Sequence, residues 1–168
     1  EFVAKLAKTG VLESAKKLNV FKDTLDLTAK TDGSKKHHIT VPKLDDAYWA
    51  GTWQSEKTTL VITEGDSAKN MAVSGVSVLA NGYDYYGIFP LKGKLLNTRD
   101  KADSDMARNK EICDIKKILG LQEGVEYADA GSLRYGRIML MTDADADGSH
   151  IKGLIMNFFS KWTSLMKL

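Results

Sequence analysis

Asp143, Asp145 and Asp147 stand at alternate positions in the run Thr142-Asp143-Ala144-Asp145-Ala146-Asp147-Gly148-Ser149-His150. Carboxylates brought together repel one another unless a cation lies between them, and hard oxygen donors of this kind suit Mg²⁺. The run follows the largely apolar stretch Arg137 to Met141, which reads as a buried strand bounded by polar residues. If the extended backbone continues past it, residues i, i+2 and i+4 point to one side. Asp143, Asp145 and, at the far end, Asp147 then converge at the carboxyl end of the strand, where open α/β sheets bind their ligands.

Two plainer readings compete. Asp-x-Asp-x-Asp-Gly also opens an EF-hand calcium loop, which needs a bidentate Glu at its twelfth position. Counted from Asp143, that position is Leu154, and a strand rather than a helix precedes the run. The other is a solvated acidic turn, the ordinary fate of a bare triad. It loses ground to a second acidic motif upstream, Thr63-Glu64-Gly65-Asp66-Ser67-Ala68-Lys69, which closes another strand pattern over Thr58 to Thr63. Glu64 at the end of one parallel strand is well placed to share a cation with Asp143 at the end of its neighbour. Asp66 or Ser67 reads as the cap of the helix that follows. A third segment, Pro90 to Asn97, places Lys92 and Lys94 around Gly93 in a loop near the same sheet edge. Basic groups beside a carboxylate-held metal suit a phosphodiester.

The elements that must position these residues alternate. Strand patterns over 58–63, 85–89 and 138–141 are separated by helical patterns over 67–75 and 104–119, and a helix runs on from Ser149. Such alternation implies an α/β fold, a parallel sheet covered by helices. Residues 2–27 carry apolar positions at helical spacing, including Val3, Leu6, Ala7, Val11 and Leu18. Gly10 interrupts or ends a first helix, and a second starts near Glu13. From Thr28 to Lys36 the chain turns polar and reads as a linker, with His37 and His38 as solvated residues at its end.

The composition is that of a globular domain, 43% hydrophobic and 27% charged with a net charge of +2, so bulk charge does not announce a nucleic-acid binder. A single cysteine, Cys113, rules out an internal disulfide and a cysteine zinc site, and fits a reducing compartment. No stretch approaches the roughly 20 apolar residues of a membrane span, and no signal peptide is expected. The chain begins mid-pattern and reads as a piece of something larger.

Taken together, Glu64-Gly65-Asp66-Ser67-Ala68, Pro90-Leu91-Lys92-Gly93-Lys94-Leu95-Leu96-Asn97 and Asp143 to Ile151 resemble the TOPRIM domain of type IIA DNA topoisomerases, in order and in spacing. Leu133-Arg134-Tyr135-Gly136 also resembles the family, as does Ile115 to Gln122, which is closer to its eukaryotic branch, with the viral enzymes, than to gyrase. The resemblance implies a Rossmann-like sheet in residues 37–168, preceded by a short helical segment, residues 1–36, that closes the transducer domain of an ATPase region. It implies that Glu64, Asp143 and Asp145 are catalytic. Glu64 and Asp143 would hold the metal nearest the scissile phosphate, Asp143 and Asp145 a second ion, and Asp147 the edge of the cluster. Lys92, Lys94, Asn97 and His150 would meet DNA. Lys92 stands where many relatives have Arg, which replaces a bidentate phosphate contact with a point charge.

The implied enzyme is an ATP-dependent, homodimeric topoisomerase. It uses Mg²⁺, with Mn²⁺ as a substitute, to break double-stranded DNA transiently and pass a second duplex through. The compartment is intracellular: the nucleus, or another DNA-containing compartment for a viral source. In that family the attacking tyrosine comes from a separate winged-helix domain, and ATP binds elsewhere. None of Tyr48, Tyr83, Tyr85, Tyr86, Tyr127 or Tyr135 holds the nucleophile's position, so the piece alone is expected to cleave nothing. The alternatives are the TOPRIM domain of a primase or nuclease, which should lack the lysine loop, and a non-catalytic DNA-binding scaffold, which should have a broken acidic set.

Overall fold

The computed structural model describes residues 10–99, 101 and 103–167. Val3, Leu6 and Ala7, and the helix expected before Gly10, lie outside them. A 21-residue helix, α1 (Val11–Thr31), leads into a strap that reaches the first strand, β1 (Thr59–Thr63). Next come α2 (Asp66–Ser77), the single turn α3 (Gly82–Tyr85) and β2 (Tyr86–Pro90). Two helices, α4 (Asp103–Arg108) and α5 (Lys110–Leu119), carry the chain to β3 (Arg137–Met141), and α6 (Ala146–Phe159) follows.

The sheet is parallel throughout, in the order β2-β1-β3, as the alternation of patterns required. The chain leaves β1 for β2 on one side and returns from β2 to β3 on the other. The carboxyl ends of β1 and β3 therefore flank a topological switch point, the position where open sheets bind ligands. In register, Thr63 lies beside Met141, so Glu64 and Thr142 leave the sheet side by side.

Alternation along β1 builds two layers. Leu60 and Ile62 face a large core made by Ile112, Ile115, Ile118 and Leu119 of α5 with Ile151, Ile155 and Phe158 of α6. Val61 faces the opposite side, where Ile88 of β2 meets Ala72 and Val76 of α2. Every residue of β1 is buried, as befits a central strand. The strap covers the β2 edge through Asp45 and Ile88, whose amides and carbonyls exchange bonds of 2.9 and 2.8 Å.

Four local expectations change. The run Arg137 to Met141 forms a strand but not a buried one, because β3 is an edge of the sheet and Arg137, Ile138 and Met139 are exposed. The helix expected over 104–119 is two helices, because the Asn109 carboxamide accepts from the Ile112 amide (3.1 Å) and starts α5 afresh. The linker begins at Asp32 rather than Thr28. The ammonium of Lys116 donates to Thr31 Oγ1 at 3.0 Å and to Asp32 Oδ1 at 2.9 Å, so α1 is held to its last turn by a cation at its negative end. Finally, neither Asp66 nor Ser67 caps α2. The cap position is Gly65, with no side-chain cap bond, and Asp66 pairs with Lys43 at 2.6 Å instead.

Candidate metal centre

Glu64 and Asp143 meet because adjacent parallel strands end level with each other. The Asp143 amide donates to Glu64 Oε2 at 3.0 Å, and the Glu64 amide donates to the Met141 carbonyl at 3.2 Å. The second bond extends the β1–β3 ladder past its last register pair, and the first aims the Glu64 carboxylate at the turn after β3. Both residues line an open cavity of about 600 Å³ with Gly65, Asp66, Ser67, Met71, Thr142 and Ala144.

Asp145 and Asp147 are carried elsewhere. The extended backbone stops at Met141 and α6 begins at Ala146, so the alternate-residue convergence expected of a continuing strand does not occur. Asp145 is instead the N-cap of α6, its Oδ1 accepting from the Gly148 amide at 2.7 Å. Such a cap relieves one of the unpaired amides at a helix start, which explains why helix displaces strand here. Asp147 lies in the first turn of α6 and pairs with Lys94 at 2.9 Å. The Lys94 ammonium, by hydrogen bond and by charge, holds the Asp147 carboxyl below its ordinary pKa.

Gly148 makes this turn possible. A Cβ there would stand 2.1 Å from the Asp143 carbonyl oxygen and 3.1 Å from Thr142 Oγ1. Its place in the motif is thus a packing requirement of the acidic turn. The Thr142 hydroxyl is buried with no hydrogen-bond partner among the described residues. Sequence reasoning missed Thr142, since nothing in its type or spacing separates it from an ordinary strand-end threonine.

Two of the remaining expected residues, Lys94 and Asn97, lie along α6. The loop after β2 runs beside α6, joined to it by Lys94–Asp147 and, three turns on, by Asn157 Nδ2 donating to Asn97 Oδ1 at 2.6 Å. The Lys92 amide is held by Glu111 Oε1, and its side chain is exposed. His150 is exposed at the start of the second turn of α6. Lys94 therefore meets α6 at its acidic first turn and Asn97 meets it near its far end, with Lys92 at the start of the loop.

Do these residues fit a divalent cation? Among the described residues no three acidic, histidine or cysteine side chains form a ready cage. Mg²⁺ does not require one, because it keeps several waters and takes one or two carboxylates plus substrate phosphate oxygens. Glu64 and Asp143 offer such a pair. Both are at the surface of the cavity, and the Asp143 carboxylate has no hydrogen-bond or ion-pair partner among the described residues. No tyrosine lines the cavity. The two best-buried phenols, Tyr127 and Tyr135, have pKa values raised chiefly by burial and stay protonated.

A Toprim domain profile matches residues 59–167. Over 169 residues the chain is 50% identical to the DNA topoisomerase 2 of Arabidopsis thaliana, an alignment that covers all of this chain and 11% of that protein. Its identity to the DNA topoisomerase 2 of Acanthamoeba polyphaga mimivirus is 48% over 168 residues, covering 99% of this chain and 13% of the relative. Among solved structures, it is similar to the crystal structure of the Plasmodium falciparum topoisomerase II DNA-binding, cleavage and re-ligation domain. The TM-score is 0.74 at 48% identity, over 79% of this chain and 18% of that one. The chain thus spans about a tenth of the length of the curated relatives it matches.

Proposed function

The chain belongs to the Toprim family, as the Toprim region of a type IIA topoisomerase, and we propose that it supplies the metal-holding half of a DNA cleavage and rejoining site. The observation that carries this reading is the pairing of Glu64 with Asp143 across the ends of adjacent parallel strands, opening on a cavity without a tyrosine. The complete protein is then an ATP-dependent, homodimeric topoisomerase acting on double-stranded DNA in the nucleus or another DNA-containing compartment. ATP and the attacking tyrosine lie outside this chain. Residues 1–36 close the preceding transducer domain, and residues 37–168 form the Toprim domain.

Glu64 and Asp143 hold Mg²⁺, or Mn²⁺ in its place, with Asp145 joining Asp143 at a second ion and Asp147 at the edge. When bound, the cation neutralises phosphate charge and eases departure of the 3′-oxygen. The protein's own share is positioning. The bond from the Asp143 amide to the Glu64 carboxylate holds that carboxylate against the turn that carries Asp143 before a substrate arrives, so less ordering is required at the moment of reaction. Lys94 and Asn97 along α6, with His150 exposed on that helix, present donors to a phosphodiester backbone, and Lys92 adds a point charge. Glu64→Gln or Asp143→Asn in the complete protein should abolish Mg²⁺-dependent decatenation of linked DNA circles. Retained decatenation would overturn the assignment.

A further inference from the structure

Thr142 and Asp145 both approach Gly148, Asp145 at its amide and Thr142 at the space beside its Cα. Asp145 Oδ1 accepts from the Gly148 amide at 2.7 Å and so caps α6. Thr142 Oγ1 lies 3.1 Å from where a Cβ would sit on Gly148, buried and without a hydrogen-bond partner among the described residues. A buried hydroxyl left unpaired is destabilising, and valine would fill the same space at a strand end without that cost.

We propose that Thr142 is a positioning residue that takes over the Gly148 amide when the Asp145 carboxylate turns toward a divalent cation. This rests on the metal reading given above, and it resolves a conflict in that reading. A carboxylate committed to a helix cap is not available to an ion, and releasing it would strand a buried amide. With Thr142 packed against Gly148, the amide exchanges one oxygen acceptor for another, and the start of α6 survives the exchange. The donor count balances: the Gly148 N–H keeps one acceptor in both states, and the Thr142 oxygen gains the partner it lacks.

The test compares this chain with Thr142→Val, Thr142→Ser, Asp145→Ala and Glu64→Gln. Each is titrated with Mg²⁺ by calorimetry and melted in EDTA, and amide hydrogen exchange is followed at Gly148. In EDTA, Thr142→Val should melt at or above the temperature of the unaltered chain, because an orphan hydroxyl has been removed. Its Mg²⁺ midpoint should weaken by roughly fivefold or more, the worth of one stranded amide. Exchange at Gly148 should quicken on adding Mg²⁺ in Thr142→Val but not in the unaltered chain, and Thr142→Ser should behave like the latter. An unchanged midpoint for Thr142→Val, an equal loss in Thr142→Ser, or a lower melting temperature of Thr142→Val in EDTA would each overturn the proposal. If Glu64→Gln and Asp145→Ala also leave the midpoint unchanged, the fault lies in the metal reading itself. If they weaken it and Thr142→Val does not, the fault lies with Thr142 alone.

Discussion

Arg134 and Asp143 stand at opposite ends of β3, and the fold treats their charges in opposite ways. Arg134 is fully buried. Its guanidinium donates to the carbonyl oxygens of Lys36, His37 and Ile118 and to the Asp46 carboxylate, which also accepts from the Tyr135 hydroxyl. Lys116 is used in the same way, with Thr31, Asp32 and Glu123 around it. Asp143 is exposed, its amide satisfied and its carboxylate without a partner among the described residues. Charge at the amino end of the strand is spent on tying the strap to the sheet. At the carboxyl end it is left unspent, and unspent charge beside an open cavity is what a ligand site requires.

The contrast predicts a graded series of stability losses. Arg134→Ala should cost the most, about 3–5 kcal/mol in urea unfolding, because it strands the Asp46 carboxylate and three carbonyl groups in the interior. A loss under about 1 kcal/mol would mean that the strap is held by something else. Lys116→Met keeps the bulk of the side chain but leaves Asp32 and Glu123 without their cation. Those two carboxylates are partly exposed, so a smaller loss of about 2 kcal/mol is expected, with fraying of α1 visible by circular dichroism. Gly148→Ala should cost roughly 1–3 kcal/mol, the usual range for overpacking, since its Cβ must push the Asp143 carbonyl away. It should also weaken Mg²⁺ binding, which Arg134 and Lys116 variants that still fold should leave intact.

Lys94→Met sits at the bottom of the series. The Lys94–Asp147 pair is solvent-exposed, and pairs of that kind add little to stability. Its effect is on titration. The folded pKa of Asp147 lies below its unfolded value, so the pair's small contribution is present above the unfolded pKa and fades as pH falls through the folded one. Removing the ammonium should return the Asp147 carboxyl toward its ordinary pKa in an NMR titration, with almost no change in melting temperature.

How far each region could be read beforehand follows the same division. The strands were legible to within a residue or two of their ends, because apolar runs mark them, but burial was not: the run that reads as a buried strand before Asp143 is an edge strand with Ile138 and Met139 exposed. The pairing of Glu64 with Asp143 was legible as well, since two strand ends in one parallel sheet must meet. Local competition for backbone donors was not. Asn109 divides a helical stripe by accepting from Ile112, and Asp145 leaves the strand pattern to cap α6. Gly65 takes the cap position that Asp66 or Ser67 was expected to fill. Each outcome depends on which acceptor reaches an amide first in three dimensions, and periodicity carries no information about that. The long-range ties of Lys116 and Arg134 were hidden for a related reason, because a lysine or arginine in a helical or loop pattern ordinarily reads as surface.

The account stands or falls on Glu64 and Asp143 as cation ligands. The most direct test is calorimetric titration of this chain with Mg²⁺, alongside Glu64→Gln and Asp143→Asn, with melting temperatures in EDTA as the control for folding. The unaltered chain should bind and both variants should lose binding, while melting in EDTA at or slightly above the parent temperature because acidic repulsion has been relieved. Variants that fold and still bind Mg²⁺ as the parent does would contradict it.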